Sequence, residues 1–168
     1  GNVYIGPKVS TAFNNDIEYS VGGASEIDIQ GGNLYVNGQI RRNPLNAGGI
    51  LKYSQSGGTV TVRGQSQNGT NAKLEVLNTG STFNMSGGSL QILRGNGIFR
   101  TASSPFGDLY PRPETGSVTG GEIIFSDGAV AGDQNYFLDA TIPLNNLTVS
   151  VAGAADSATV RLLTSPLT

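Results

Sequence analysis

With 168 residues the chain is long enough for one domain with its own core and short for two. Ten basic against twelve acidic side chains leave a net charge of −2, so no strong field recruits nucleic acid or anionic lipid. Cys, His and Trp are absent, which removes disulfides, thiolate metal sites, cysteine nucleophiles and the commonest general base together.

In chain order, the first element is a strand over Asn2-Val3-Tyr4-Ile5. Asp16 and Glu18 then flank Ile17, and Glu26 and Asp28 alternate with Ile27 and Ile29. Residues two apart in a strand share a face, so the isoleucines are expected inward and the acids toward solvent. Next comes Gly31-Gly32-Asn33-Leu34-Tyr35-Val36, closed by Gly38. The phrase returns as Gly57-Gly58-Thr59-Val60-Thr61-Val62, as Gly87-Gly88-Ser89-Leu90-Gln91-Ile92 and as Gly120-Gly121-Glu122-Ile123-Ile124-Phe125. Closing glycines follow at Gly64, Gly95 and Gly128, and the first glycines of the pairs lie 26, 30 and 33 residues apart. No stretch has the periodic Ala, Leu, Glu and Lys of a long helix, and no run reaches the roughly 20 apolar residues that span a bilayer.

Such a period suits one turn of a solenoid. Leu34 and Val36, Val60 and Val62, Leu90 and Ile92, and Ile123 and Phe125 would point one way and bury one another when coils stack. Tyr35, Thr61, Gln91 and Ile124 would face outward. A second column precedes the glycines: Ile27, Tyr53, Phe83 and Gly116, with Ile29, Gln55, Met85 and Val118 beside it. A third set of strands is expected at Ile50-Leu51, Leu74-Glu75-Val76, Ile98-Phe99 and Tyr136-Phe137-Leu138. The expected fold is all-β, a right-handed parallel β-helix of about five coils forming a single segment over residues 1–168. An antiparallel sandwich or barrel is the alternative, since its strands also alternate and turn at Gly. Both ends abut strand-like runs, as in a segment of a longer protein.

Residues 103–116 break the pattern. Pro105, Pro111 and Pro113 lack the N–H that a ladder uses, so this stretch is expected to leave the solenoid as a protruding loop. Its Phe106, Tyr110 and Arg112 form either a contact patch for sugar or protein or a cover tucked against the solenoid wall. Arg41, Arg42, Arg63 and Arg94 follow the aligned strands, and Arg63 with Arg94 are the pair that stacking would align, suited to an anionic polysaccharide or to protecting an edge. Asp127, Asp133 and Asp139 are spaced six and six. They lack calcium-loop spacing and read as turn residues, so neither a metal nor a cofactor is expected.

The segments Leu144-Asn145-Asn146-Leu147-Thr148-Val149-Ser150 and Ala158-Thr159-Val160-Arg161-Leu162-Leu163-Thr164-Ser165-Pro166-Leu167-Thr168 resemble phrases of very large, secreted, repeat-rich surface proteins of Bacteroidetes. Gly57–Val62 and Gly87–Ile92 are similar to that family's repeats, and Gly-, Thr- and Asn-rich β-helices also occur in autotransporter-like adhesins. The resemblance implies secretion by the type IX route, a place at the bacterial cell surface and a role in adhesion or gliding. It also implies an O-glycan at Ser157, within Asp156-Ser157-Ala158. The expected function is therefore a non-catalytic structural or adhesive segment, not an enzyme. Its partners would be other segments of the same large protein, surface glycans or export machinery, without nucleic acid or membrane insertion. A polysaccharide-binding or polysaccharide-degrading β-helix of lyase or glycosidase type is the alternative; its chemistry needs clustered carboxylates, and the acids here are scattered.

Overall fold

A computed structural model describes residues 1–6, 15–64, 71–95, 106–129 and 132–164. Its regular elements are all strands, joined in one 12-stranded sheet. Every strand pairing among the described residues is parallel. The antiparallel sandwich is thereby overturned, because its hairpins would set neighbouring strands in opposite directions.

The pairings form three stacks. The first joins β1 (Asn2–Ile5), β4 (Asn33–Val36), β7 (Thr59–Val62), the last part of β8 (Leu74–Leu93), the last part of β9 (Leu109–Ser126) and β11 (Leu147–Ser150). The second joins β3 (Ala24–Ile29), β6 (Ile50–Gln55) and the middle of β8 and β9. The third joins β2 (Ile17–Tyr19), β5 (Ile40–Arg42), the starts of β8 and β9, β10 (Gln134–Leu138) and β12 (Ala158–Leu162). From β2 to β9 the chain visits the third, second and first stacks in repeating order. Strand β8 serves all three in one run, with a positive φ at Asn78 and Gly80, and again at Gly88, where it passes from one stack to the next.

Register matches the repeat. Leu34 pairs with Val60, Val60 with Leu90 and Leu90 with Ile123, while Val36, Val62, Ile92 and Phe125 form the neighbouring column. Apart from Leu34 these side chains are wholly buried. In the second stack Ile27, Tyr53, Phe83 and Gly116 align, as do Ile29, Gln55, Met85 and Val118. The Tyr53 and Phe83 rings are stacked, with centroids 4.8 Å apart and planes 8° from parallel. Side chains of all three stacks belong to one apolar cluster, and Phe125 of the first meets Tyr136 of the third at 4.9 Å.

Two expectations need correction. Ile50 and Leu51 are not third-stack residues: they run on into Tyr53 as one strand and pair with Ala24 and Ser25. The third stack keeps the expected Leu74 and Leu138 and is completed by Ile17, Ile40, Leu109 and Leu162. Ile98 and Phe99 lie outside the described residues.

The protruding loop over 103–116 is also corrected. Residues 103–105 lie outside the described residues, Phe106 to Asp108 are irregular, and from Leu109 onward the chain is strand, with Pro111 opposite Val76 and Pro113 opposite Asn78. In a parallel ladder each residue directs its N–H and C=O to the same side, and alternate residues take opposite sides. The Pro111 carbonyl accepts the Thr141 N–H, and the Leu109 carbonyl accepts that of Asp139. Both face away from β8. The nitrogens of Pro111 and Pro113 therefore fall on the side away from β8, and Tyr110 and Arg112 carry the pairing with it.

Candidate functional site

The third stack carries an unexpected wall of charge. Leu74 and Val76 enter the core, so Lys73 and Glu75 project to the other side of the strand, yet neither has any exposed surface. Glu75 Oε1 accepts hydrogen bonds from the backbone N–H of Arg42 (2.8 Å), Arg42 Nε (2.9 Å) and Asn71 Nδ2 (2.8 Å), while Oε2 accepts the Ala72 N–H at 2.8 Å. Lys73 Nζ sits 2.8 Å from Asp108 Oδ1 and donates to the carbonyls of Leu93 and Arg94. Asp108 Oδ2 in turn accepts the Phe137 N–H at 2.9 Å. Burial pushes the Lys73 amine below the usual lysine range, and the Asp108 charge pulls it partly back. One rung further, Asp139 Oδ2 accepts from Arg112 Nη1 (3.1 Å) and Thr164 Oγ1 (2.5 Å). Each group ties successive rungs together through a buried charge that is paired or hydrogen-bonded, as burial demands.

The residues singled out in 103–116 do come together, against this wall. The Phe106 and Tyr110 rings are 4.7 Å apart and tilted by 47°. The Arg42 guanidinium lies over Phe106 at 5.1 Å and that of Arg112 over Tyr110 at 5.8 Å. Tyr110 is buried, which raises its hydroxyl above the usual range. This geometry is the tucked-down arrangement: each arginine that covers a ring also holds a buried carboxylate. We expect Phe106→Ala to cost about 2 kcal/mol, the sum of an aromatic pair and a cation–π contact, in urea unfolding. A cost below a few tenths would mean the ring does not brace the wall.

The arginines do not form one stripe. Arg41 pairs with Asp16 (2.9 Å) and Glu18 (2.6 Å), and Arg42 turns to Glu75. Arg63 and Arg94 do influence each other: burial first, then the Arg63 charge, lowers the Arg94 guanidinium. Asp16 and Glu18 thus work as partners of Arg41, while Glu26 and Asp28 are exposed beside the inward Ile27 and Ile29.

The three spaced aspartates act separately. Asp127 accepts the N–H groups of Ala129 (2.8 Å) and Ala152 (2.5 Å), and Asp133 accepts that of Ser157 at 2.8 Å, which holds its carboxyl below the usual range. Ser157 itself is exposed. Among the described residues no group of three potential metal ligands forms, and no helix is long and apolar enough to cross a membrane.

A second surface lies on the outer side of the first stack. Register places Tyr4, Tyr35, Thr61 and Gln91 in one outward column. The Tyr4 ring, half exposed, stands 6.2 Å from that of Tyr35 at 44°. These four residues, of which Thr61 is buried, line a cleft of about 340 Å³ with Asn33, Leu34 and Leu93. Asn33 Nδ2 donates to Asn2 Oδ1 at its upper end, and Thr61 and Gln91 are linked at 3.4 Å.

Sequence reasoning missed Lys73, Glu75, Asp108 and Asp139 as buried groups. A signal was present: the position before each of the first four aliphatics of the third stack holds Asp16, Gln39, Lys73 and Asp108 in turn, a polar column beside an apolar one. Comparison with protein-family models, curated proteins and solved structures gives no match.

Proposed function

We propose that the chain is a segment of right-handed parallel β-helix that serves as a stiff, non-catalytic stalk with an adhesive surface, secreted or displayed at a bacterial cell surface. The observation that carries this reading is the in-register column Leu34, Val60, Leu90 and Ile123, whose members bury one another only because successive rungs stack. The repeating order of stacks and the single shared apolar cluster favour a closed coil. Right-handed crossovers are the strong preference for parallel strands, which supports the hand. Charged ties between rungs, such as Lys73 with Asp108, add resistance to shear along the stack. Type IX secretion and partnership with neighbouring segments of one large protein, or with export machinery, rest on the resemblance in residues 144–168. The O-glycan at Ser157 has the same basis.

Two measurements test this. Hydrogen exchange should show the three stacks of the central rungs protected as one cooperative block, with slower exchange there than at the first and last rungs. A stack that opens alone would overturn the closed coil. Incubation with neutral and acidic polysaccharides should release no reducing ends and no unsaturated products. Cleavage would replace the stalk with a lyase or glycosidase.

A further inference from the structure

We infer that Lys73 and Asp108 condense into an amide, a covalent bond that ties one rung of the third stack to the next. The cross-link goes beyond the stalk reading and does not depend on it.

The backbone sets the two residues against each other. They precede Leu74 and Leu109, which pair across adjacent rungs, and the N–H groups of Lys73 and Leu74 donate to the carbonyls of Gly107 and Asp108 at 3.1 and 3.0 Å. Asp108 is also held on its far side. Its N–H donates to the Phe137 carbonyl at 3.0 Å, and its Oδ2 accepts the Phe137 N–H. Both side chains are wholly buried, with Lys73 Nζ 2.8 Å from Asp108 Oδ1. That contact is not aligned as a hydrogen bond, so Oδ1 is a buried carboxylate oxygen without a hydrogen-bond donor among the described residues. Such an atom calls for an explanation. Condensation supplies one, because Oδ1 is the atom that leaves.

Glu75 and Asp139 are buried on the same wall, but their cations are the guanidiniums of Arg42 and Arg112, which stay protonated and do not attack a carboxyl. Of these three acids only Asp108 faces a primary amine. Burial lowers the Lys73 amine toward its neutral, nucleophilic form, against the pull of the Asp108 charge. One ammonium proton passes to Oδ1, the Nζ lone pair closes on Cγ, and the Cγ–Oδ1 bond breaks. Of the three protons on Nζ, one stays on the amide nitrogen and two leave with Oδ1 as water, so no other reactant is needed. The fold has already brought the partners into contact, which removes the entropic cost of an encounter. The product places no charge in the dry site. Its oxygen keeps the Phe137 N–H, and its own N–H keeps one of the carbonyls of Leu93 and Arg94. Freshly folded protein holds the ion pair, and the amide accumulates from it.

The test follows the 168-residue protein by intact mass and tryptic mapping, freshly refolded and after prolonged incubation at neutral pH. The chain is expected to become lighter by one water. Trypsin should then fail to cut after Lys73 and release a branched peptide joining residues 64–94 to residues 101–161, since Pro113 protects the bond after Arg112. Lys73→Met should keep its full mass. Asp108→Asn should give the same branched peptide with loss of one ammonia, because attack on a carboxamide forms the identical bond. That variant retains the amine, so the proposal stays testable where Lys73→Met does not fold. Parent protein held unfolded in guanidinium chloride should gain no branch. Full mass with complete cleavage after Lys73, in both the parent and Asp108→Asn, would overturn the proposal and leave an ordinary ion pair. Loss of water without the branch, as from a succinimide at Asp127-Gly128, would overturn it too, and so would a branch that forms equally in the unfolded chain.

Discussion

Replacing Lys73 by Met should lower stability by about 3–5 kcal/mol, because it leaves the buried Asp108 carboxylate without its cation. Neither side chain has any exposed surface, so water cannot replace the lost partner. The methionine fits the aliphatic stem of lysine, which keeps the volume and separates the charge effect from a cavity. Two carbonyls, of Leu93 and Arg94, also lose a donor, a smaller penalty than the stranded charge. In thermal unfolding the loss corresponds to a fall in Tm of roughly 10 °C or more for a chain of this size. The decisive variant is Lys73→Met with Asp108→Asn. The asparagine keeps an oxygen for the Phe137 N–H, which Asp108 Oδ2 holds at 2.9 Å, and removes the charge. It should recover well over half of the lost stability, since a neutral pair in that site has no unpaired ion. If the double variant is no better than Lys73→Met, the cost lies in the lost ammonium contacts and the charge argument fails.

The different legibility of the three stacks has a physical origin. The first and second stacks announce themselves because strict two-residue alternation and a glycine corner recur together, and both reflect the same constraint: a flat strand that buries one face and then turns sharply. Leu34 with Val36 and Tyr53 with Gln55 could therefore be aligned by counting from the glycines. The third stack has no such punctuation. Its aliphatics Ile17, Ile40, Leu74 and Leu109 lie 23, 34 and 35 residues apart, since the connections before them vary in length. They are also flanked by Asp16, Arg41, Glu75 and Asp108, which look like a solvent face. Burial of Lys73 and Glu75 depends on what packs over the outside of the strand, including Arg42, Asn71 and Phe106, and alternation alone carries no information about that. The proline segment was misjudged for a related reason. Proline excludes a hydrogen bond on one side of a strand only, and the sequence does not say which side pairs. The outward column was readable as a face but not as a cleft, because Tyr4 enters it from a strand outside the repeated phrase.

Gly88→Ala should destabilise by at least about 3 kcal/mol, whereas Gly22→Ala should cost only about 1–2 kcal/mol, although both glycines have a positive φ. The backbone strain of an L-residue is common to the two sites, at φ +78° and +114°. What differs is the space. A Cβ at Gly22 would meet nothing within 4 Å, but at Gly88 it would lie 2.5 Å from the carbonyl oxygen of Gly58 on the preceding rung. That oxygen is the acceptor for the Ser89 N–H at 2.9 Å, so the methyl group would push directly against a rung-to-rung hydrogen bond. The same arrangement exists one rung earlier, where a Cβ at Gly58 would meet the Gly32 oxygen at 2.5 Å and Gly32 accepts from the Thr59 N–H. The corner cannot relax by a side-chain rotation, because the obstructing atoms are backbone. It can relax only by separating two rungs, which would loosen Val60 from Leu90 as well. Losing the bond adds about 1 kcal/mol to the strain, and the separation adds lost burial. Urea unfolding of the two variants measures the difference, and hydrogen exchange at Ser89 should accelerate in Gly88→Ala alone. Equal costs at Gly22 and Gly88 would mean that the rungs do not meet at these corners, and the stacking on which every other inference stands would have to be abandoned.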